Sequence, residues 1–102
     1  MFINNMGLPK TLKHKNVAAG TATTVISANP GFLHCITINT KGASSNTLTV
    51  YDNASAASGT IIALIGTTGQ EQTLIYDVNV VNGITCASAT GTGADYTVSF
   101  TN

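Results

Sequence analysis

The stretch TLTVYDNASAASGTIIALIG, Thr47–Gly66, decides the fold. Its opening, TLTVYD (47–52), alternates: Leu48 and Val50 share one parity, while Thr47, Thr49 and Tyr51 share the other. A period of two marks a strand with one face on a core. Its close, TIIALI (60–65), is continuously apolar. Such a run suits a strand buried on both faces or lying at a subunit contact. Between them, NASAASG (53–59) is a loop of small residues, which lets backbone come close to a neighbouring surface.

Working outward, the same signals recur. Upstream lie TATTVIS (21–27), rich in β-branched residues, and FLHCITINT (32–40), with Phe32, His34, Ile36 and Ile38 on one parity. ANPG (28–31) separates them as a turn in which Pro30 suits the second position and Gly31 a positive φ. KGASSN (41–46) is a loop. Downstream, GTTGQEQ (66–72) turns the chain into TLIYDVNVV (73–81), where Leu74, Tyr76, Val78 and Val80 share a face. The dipeptide NG (82–83) is a tight-turn signal leading to ITCASA (84–89). TGTGA (90–94) is the last turn, and DYTVSFT (95–101) sets Tyr96, Val98 and Phe100 together. No segment of helical length carries a helical period. These signals predict an all-β domain over 17–102: a seven- to eight-stranded β-sandwich, the jelly roll included, or a small barrel.

Residues 1–16, MFINNMGLPKTLKHKN, differ from the rest. They hold Lys10, Lys13 and Lys15, both Met and one of the two Pro, and show neither alternation nor a helical stripe. They are expected to form an extended N-terminal arm. Fully stretched, such a segment reaches up to ~50 Å. Phe2, Ile3, Met6, Leu8 and Leu12 are apolar anchors that a free tail does not need. A disordered terminus is the plain alternative.

Composition limits what this chain can do. Its 102 residues suit one domain, and 12 Ala with no Trp make a thin core. Charged residues are 8%, against ~25% in ordinary domains. Polarity comes instead from 17 Thr, 10 Asn and 7 Ser. Such a surface meets other protein surfaces with little charge desolvation. The net charge of zero is divided: all four Lys lie in the first 41 residues, and Asp52, Glu71, Asp77 and Asp95 follow. The absence of Arg argues against a dedicated nucleic-acid binder. No run is apolar enough for a membrane-spanning helix. MFINNMGLPK lacks the pattern of a secretory signal, so synthesis in a cytoplasm is expected.

Catalytic constellations are sparse. Cys35 and Cys86 fall on opposite parities relative to their neighbouring Ile residues and are expected to stay reduced. With His14 and His34 they show no zinc-ligand spacing. His34 reads as a hydrogen-bonded interior or interface histidine. Asp52, Asp77 and Asp95 sit at or near strand ends, where Asp supports turns. A loop calcium site at Asp52 and Asn53 lacks clustered acids. No G-x-S-x-G elbow or phosphate-binding glycine motif occurs. Neither catalytic nor metal residues are assigned, no cofactor is expected, and the chain does not read as an enzyme.

The run Gly31–Phe100, carried by LTVYDNASAASGTIIALI and YDVNVVNGITCASATGTGADYTVSF, resembles small β-sandwich structural proteins of tailed-bacteriophage virions, the capsid decoration (cement) proteins among them. The resemblance implies a homo-oligomer, often a homotrimer, bound on a virion and without enzyme activity. The expected function is therefore that of a decoration protein binding the major capsid protein or another virion protein. Phe2, Ile3, Leu8, Lys10, Leu12, Lys13 and Lys15 are the candidate partner-binding residues. Alternatives are a tail, fibre or head-surface component, and a carbohydrate-binding sandwich that uses Tyr51.

Overall fold

The computed structural model describes residues 12–102, which contain eight strands and no helix. In chain order these are β1 (Lys13–Val17), β2 (Thr23–Ser27), β3 (Gly31–Thr40), β4 (Thr47–Asp52), β5 (Thr60–Gly66), β6 (Thr73–Val80), β7 (Ile84–Ala89) and β8 (Asp95–Thr101). They form two four-stranded antiparallel sheets, ordered β1-β8-β3-β6 and β2-β7-β4-β5. Only the β4–β5 link, the small-residue loop, stays within one sheet. Every other link crosses from sheet to sheet.

The crossings explain the core. Each sheet turns one face to the other, and the alternating apolar residues meet between them. Leu33, Ile36, Ile38, Tyr96 and Val98 from the first sheet pack with Leu48, Val50, Ile84 and Cys86 from the second in a single cluster. Burying each large aliphatic side chain contributes about 1.5–3 kcal/mol. Leu48 and Val50 are fully buried, as their alternation predicts. Tyr96, Val98 and Phe100 likewise share the inner face of β8.

Four local readings are corrected by pairing and packing. First, β1 extends the first sheet: Lys13 pairs with Phe100 and Val17 with Tyr96. The sandwich thus starts inside the segment expected to be an arm. A polar edge strand has no apolar alternation to reveal it.

Second, the apolar parity of β3 breaks. Leu33 is fully buried, as are Ile36 and nearly Ile38, whereas His34 is partly exposed. The register against β8 shifts between Leu33 and Cys35, so His34 is an extra residue that resets the alternation.

Third, TIIALI is not buried on both faces. β5 is an edge strand, and its register against β4 shifts between Val50 and Tyr51, opposite Ala63 and Ile61. Ala63 and Ile65 face the core, while Ile61 and Leu64 are 55% and 66% exposed. Fourth, Gly31 does not have a positive φ. A Cβ there would lie 2.0 Å from the Thr101 carbonyl oxygen, so glycine is required by the close approach of β8's end.

Candidate functional site

The candidate partner-binding residues divide at Leu12. Phe2, Ile3, Leu8 and Lys10 lie outside the described residues. Leu12, Lys13 and Lys15 lie on or beside β1, which pairs only with β8. Five register pairs hold that strand. Lys13 Nζ donates to Asn102 Oδ1 at 2.5 Å, and Leu12 and Lys15 are exposed. Lys13 and Lys15 share the parity of the buried Val17, so they stand at the rim between the sheets; His14 and Asn16 take the outer parity.

Beside β1, the outer face of the first sheet is a hydrogen-bonded polar surface. Asn16 Nδ2 donates to Asp95 Oδ1 at 2.9 Å, and Asn39 Nδ2 donates to the same oxygen at 3.0 Å. Both amides also reach Thr97 Oγ1. The Asn39 and Asn16 donors hold the Asp95 carboxyl below its ordinary value, against a smaller opposing effect of burial. Asp95 is thereby occupied in fixing β1 and β3 to β8.

The opposite side of the sandwich is built differently. β5 and β6 are the outermost strands of their sheets, and the short link 67–72 joins them along one side. β5 carries no charged residue. Ile61 and Leu64 project from it, Ile75 from β6, and Val81, 73% exposed, follows β6 directly. No signal in the sequence marks these positions, because whether a strand lies at an edge depends on pairing and not on its own residues. Tyr51, the carbohydrate candidate, is half-buried on the outer face beside Ile61 and Thr85.

One base and carboxylate do meet. His34 Nδ1 and Asp77 Oδ1 are 2.5 Å apart, with side chains 35% and 52% exposed. The pair sits where β3 and β6 slip register, and Asp77 has a φ of 50°. Two residues of β6, Tyr76 and Asp77, face His34 alone, so the contact fastens a bulge on the β6 edge. Nucleophilic catalysis needs a third group within hydrogen-bond reach of the histidine. Among the described residues, the side-chain hydrogen bond of His34 is to Asp77. No group of three His, Cys, Asp or Glu that could hold a metal ion occurs among the described residues.

Asp52 ties the sheets together. Its carboxylate accepts the backbone N–H groups of Val81 at 2.9 Å, Asn82 at 2.8 Å and Gly83 at 3.3 Å. Burial raises the carboxyl's pKa, but the three donors together outweigh it and leave the group below its ordinary value. Cys35 and Cys86 are both free thiols on different sheets. No family model, curated protein or solved structure matches the chain.

Proposed function

We propose that the chain is a virion structural protein, a capsid decoration subunit that binds the outer shell and reinforces it. The observation that carries the proposal is the edge strand that follows the N-terminal segment in the chain. Phe2, Ile3, Leu8 and Lys10 precede, in sequence, the exposed Leu12 and an edge strand whose Lys13 and Lys15 are exposed and whose backbone is fastened along β8. A strand so anchored transmits the hold of a docked segment to the whole sandwich. Apolar contact at ~25 cal/mol per Å² makes even a short segment worth several kcal/mol before ordering costs.

The body suits a passive load-bearing part. Its strand order, β1-β8-β3-β6 against β2-β7-β4-β5, supports assignment as a jelly roll, an architecture common in viral capsid domains. Its polar clusters are spent on internal ties: Asp95 on two asparagines and Asp52 on a turn. The proposed partner is the major capsid protein.

The test is co-sedimentation with shells of the phage encoding the chain, stripped of this protein, followed by imaging of the particles. Full-length protein should decorate the shell and raise its melting temperature. A deletion of residues 1–11, which leaves β1 intact, should fold and fail to bind. Binding undiminished by that deletion would overturn the role of the segment. Density confined to a tail or fibre would replace decoration with the tail reading.

A further inference from the structure

Asn82–Gly83, in the link from β6 to β7, is the one Asn-Gly pair in the sequence. Asparagine is among the thermolabile residues, and a following glycine, lacking a Cβ, leaves its own nitrogen least hindered. That backbone nitrogen can attack the side-chain carbonyl carbon of the asparagine. A C–N bond forms, the attacking nitrogen gives up its proton, and the side-chain nitrogen leaves as ammonia. The succinimide ring so formed takes up water at either carbonyl and opens to aspartate or isoaspartate. Water is the co-reactant, and nothing is oxidised or reduced.

The fold holds the attacking nitrogen in place. Asp52 Oδ1 accepts the Asn82 N–H at 2.8 Å and the Gly83 N–H at 3.3 Å, while Oδ2 accepts the Val81 N–H at 2.9 Å. Asn82 Nδ2 also reaches the Asp52 carbonyl oxygen at 3.5 Å. The Gly83 nitrogen therefore faces a carboxylate. Removing its proton would set a second negative charge beside the first, which is disfavoured. Turning it toward the Asn82 side chain would break a hydrogen bond to a charged acceptor.

Packing removes the remaining freedom. Gly83 is buried, although Asn82 is exposed. A Cβ on Gly83 would lie 2.4 Å from the Ser27 carbonyl oxygen and 2.9 Å from Ala54 Cα, so the end of β2 and the loop after β4 enclose it. Thr85 Oγ1 donates to the Asn53 carbonyl at 2.8 Å and ties the start of β7 to that same loop. The asparagine side chain is open to water, while the nucleophile that would consume it is pinned.

We propose that Asn82–Gly83 is a latent self-modification site, held closed by the Asp52 carboxylate. While the clamp is shut, Asn82 persists. When the clamp opens, the succinimide forms and Asn82 becomes aspartate or isoaspartate. The conversion is one-way. Either product adds a carboxylate close to that of Asp52, and isoaspartate also lengthens the backbone by a methylene where Gly83 has no room. The link between β6 and β7, which joins the two sheets, is then left loosened.

The test incubates the full-length protein at mildly alkaline pH, well below its melting temperature. Mass spectrometry of the peptide spanning residues 82–83 follows the conversion, and chromatography separates isoaspartate from aspartate. Wild-type chain unfolded in urea supplies the reference rate. Native wild type should convert at least about tenfold more slowly than that reference, and folded Asp52→Asn and Asp52→Ala about 10- to 100-fold faster than native wild type, as expected for losing hydrogen bonds to a charged group. Asn46→Ala weakens the fold at the other end of β4 and keeps the clamp, so its native rate should stay near that of wild type. Native wild type converting as fast as the unfolded chain would overturn the proposal. So would folded Asp52 variants that convert no faster than wild type, or an Asn46→Ala rate that matches theirs. Thermal unfolding checks each variant. Where neither Asp52 variant folds, hydrogen exchange of the wild-type Gly83 N–H decides: protection supports the clamp, and exchange at the unprotected rate overturns it.

Discussion

Asn46 shows how much one side chain settles in this molecule. It closes a loop in KGASSN and is nevertheless 1% exposed. Its Nδ2 donates to the carbonyls of Ala89 at 3.1 Å and Thr90 at 3.0 Å, and its Oδ1 accepts the Thr67 hydroxyl at 2.6 Å. The Thr67 backbone N–H also donates to the Asn46 carbonyl at 3.1 Å. Three links of the chain are thereby fastened to one amide. The substitution Asn46→Ala leaves buried groups without partners and should cost about 2–4 kcal/mol, read by urea denaturation. The near-isosteric Asn46→Asp is no remedy, since a carboxylate cannot donate to the two carbonyls. None of this is legible in KGASSN, where Asn reads as an ordinary loop residue. An asparagine's partners are set by which distant carbonyls the fold brings to it.

Among the elements, β4 is the most legible in the sequence and β1 the least. Leu48 and Val50 alternate with polar neighbours because one face of β4 is buried and the other is not, so its sequence carries its orientation. β3 has the same alternation, but one inserted residue at His34 reverses it, and a bulge leaves no reliable trace in residue type. β1 lies at a rim where lysines are tolerated, so its residues resemble those of a tail. The end of β4 also carries a testable link to the other sheet. The folded-state pKa of Asp52 lies below its ordinary value of 3.8, so ionised Asp52 stabilises the native state. That contribution is present above the unfolded pKa and is lost as pH falls through the lower folded one. Wild-type stability should therefore drop below about pH 4 more steeply than that of Asp52→Asn, whose turn should already be weaker at pH 7. Melting temperatures of both proteins from neutral to strongly acidic pH check this; equal acid slopes would contradict it.

The whole molecule behaves as one core held between two sheets, and its thiols report on that core. Cys86 is fully buried between the sheets, whereas Cys35 is partly exposed. Burial pushes the Cys86 thiol up to about 12, only partly offset by a hydrogen bond with Tyr96. A thiol reagent at mildly alkaline pH should modify Cys35 in the native protein and reach Cys86 only on global unfolding, because the thiolate is the reactive form. The expected record is one rapid equivalent, then a second that appears with the unfolding transition in denaturant. Two rapid equivalents in native protein would show that the sheets open locally.

Strand class, most of the strand positions and the Thr-rich surface of low charge can be read from the residues in order. Those properties rest on local alternation and composition, which each segment carries alone. Which strands lie at the edges, that β1 belongs to the sandwich, and that Leu64 and Ile61 face outward from a continuously apolar run emerge only once the chain is folded. Edge and partner are relations between distant segments: an apolar residue is written the same way whether the next strand covers it or leaves it open.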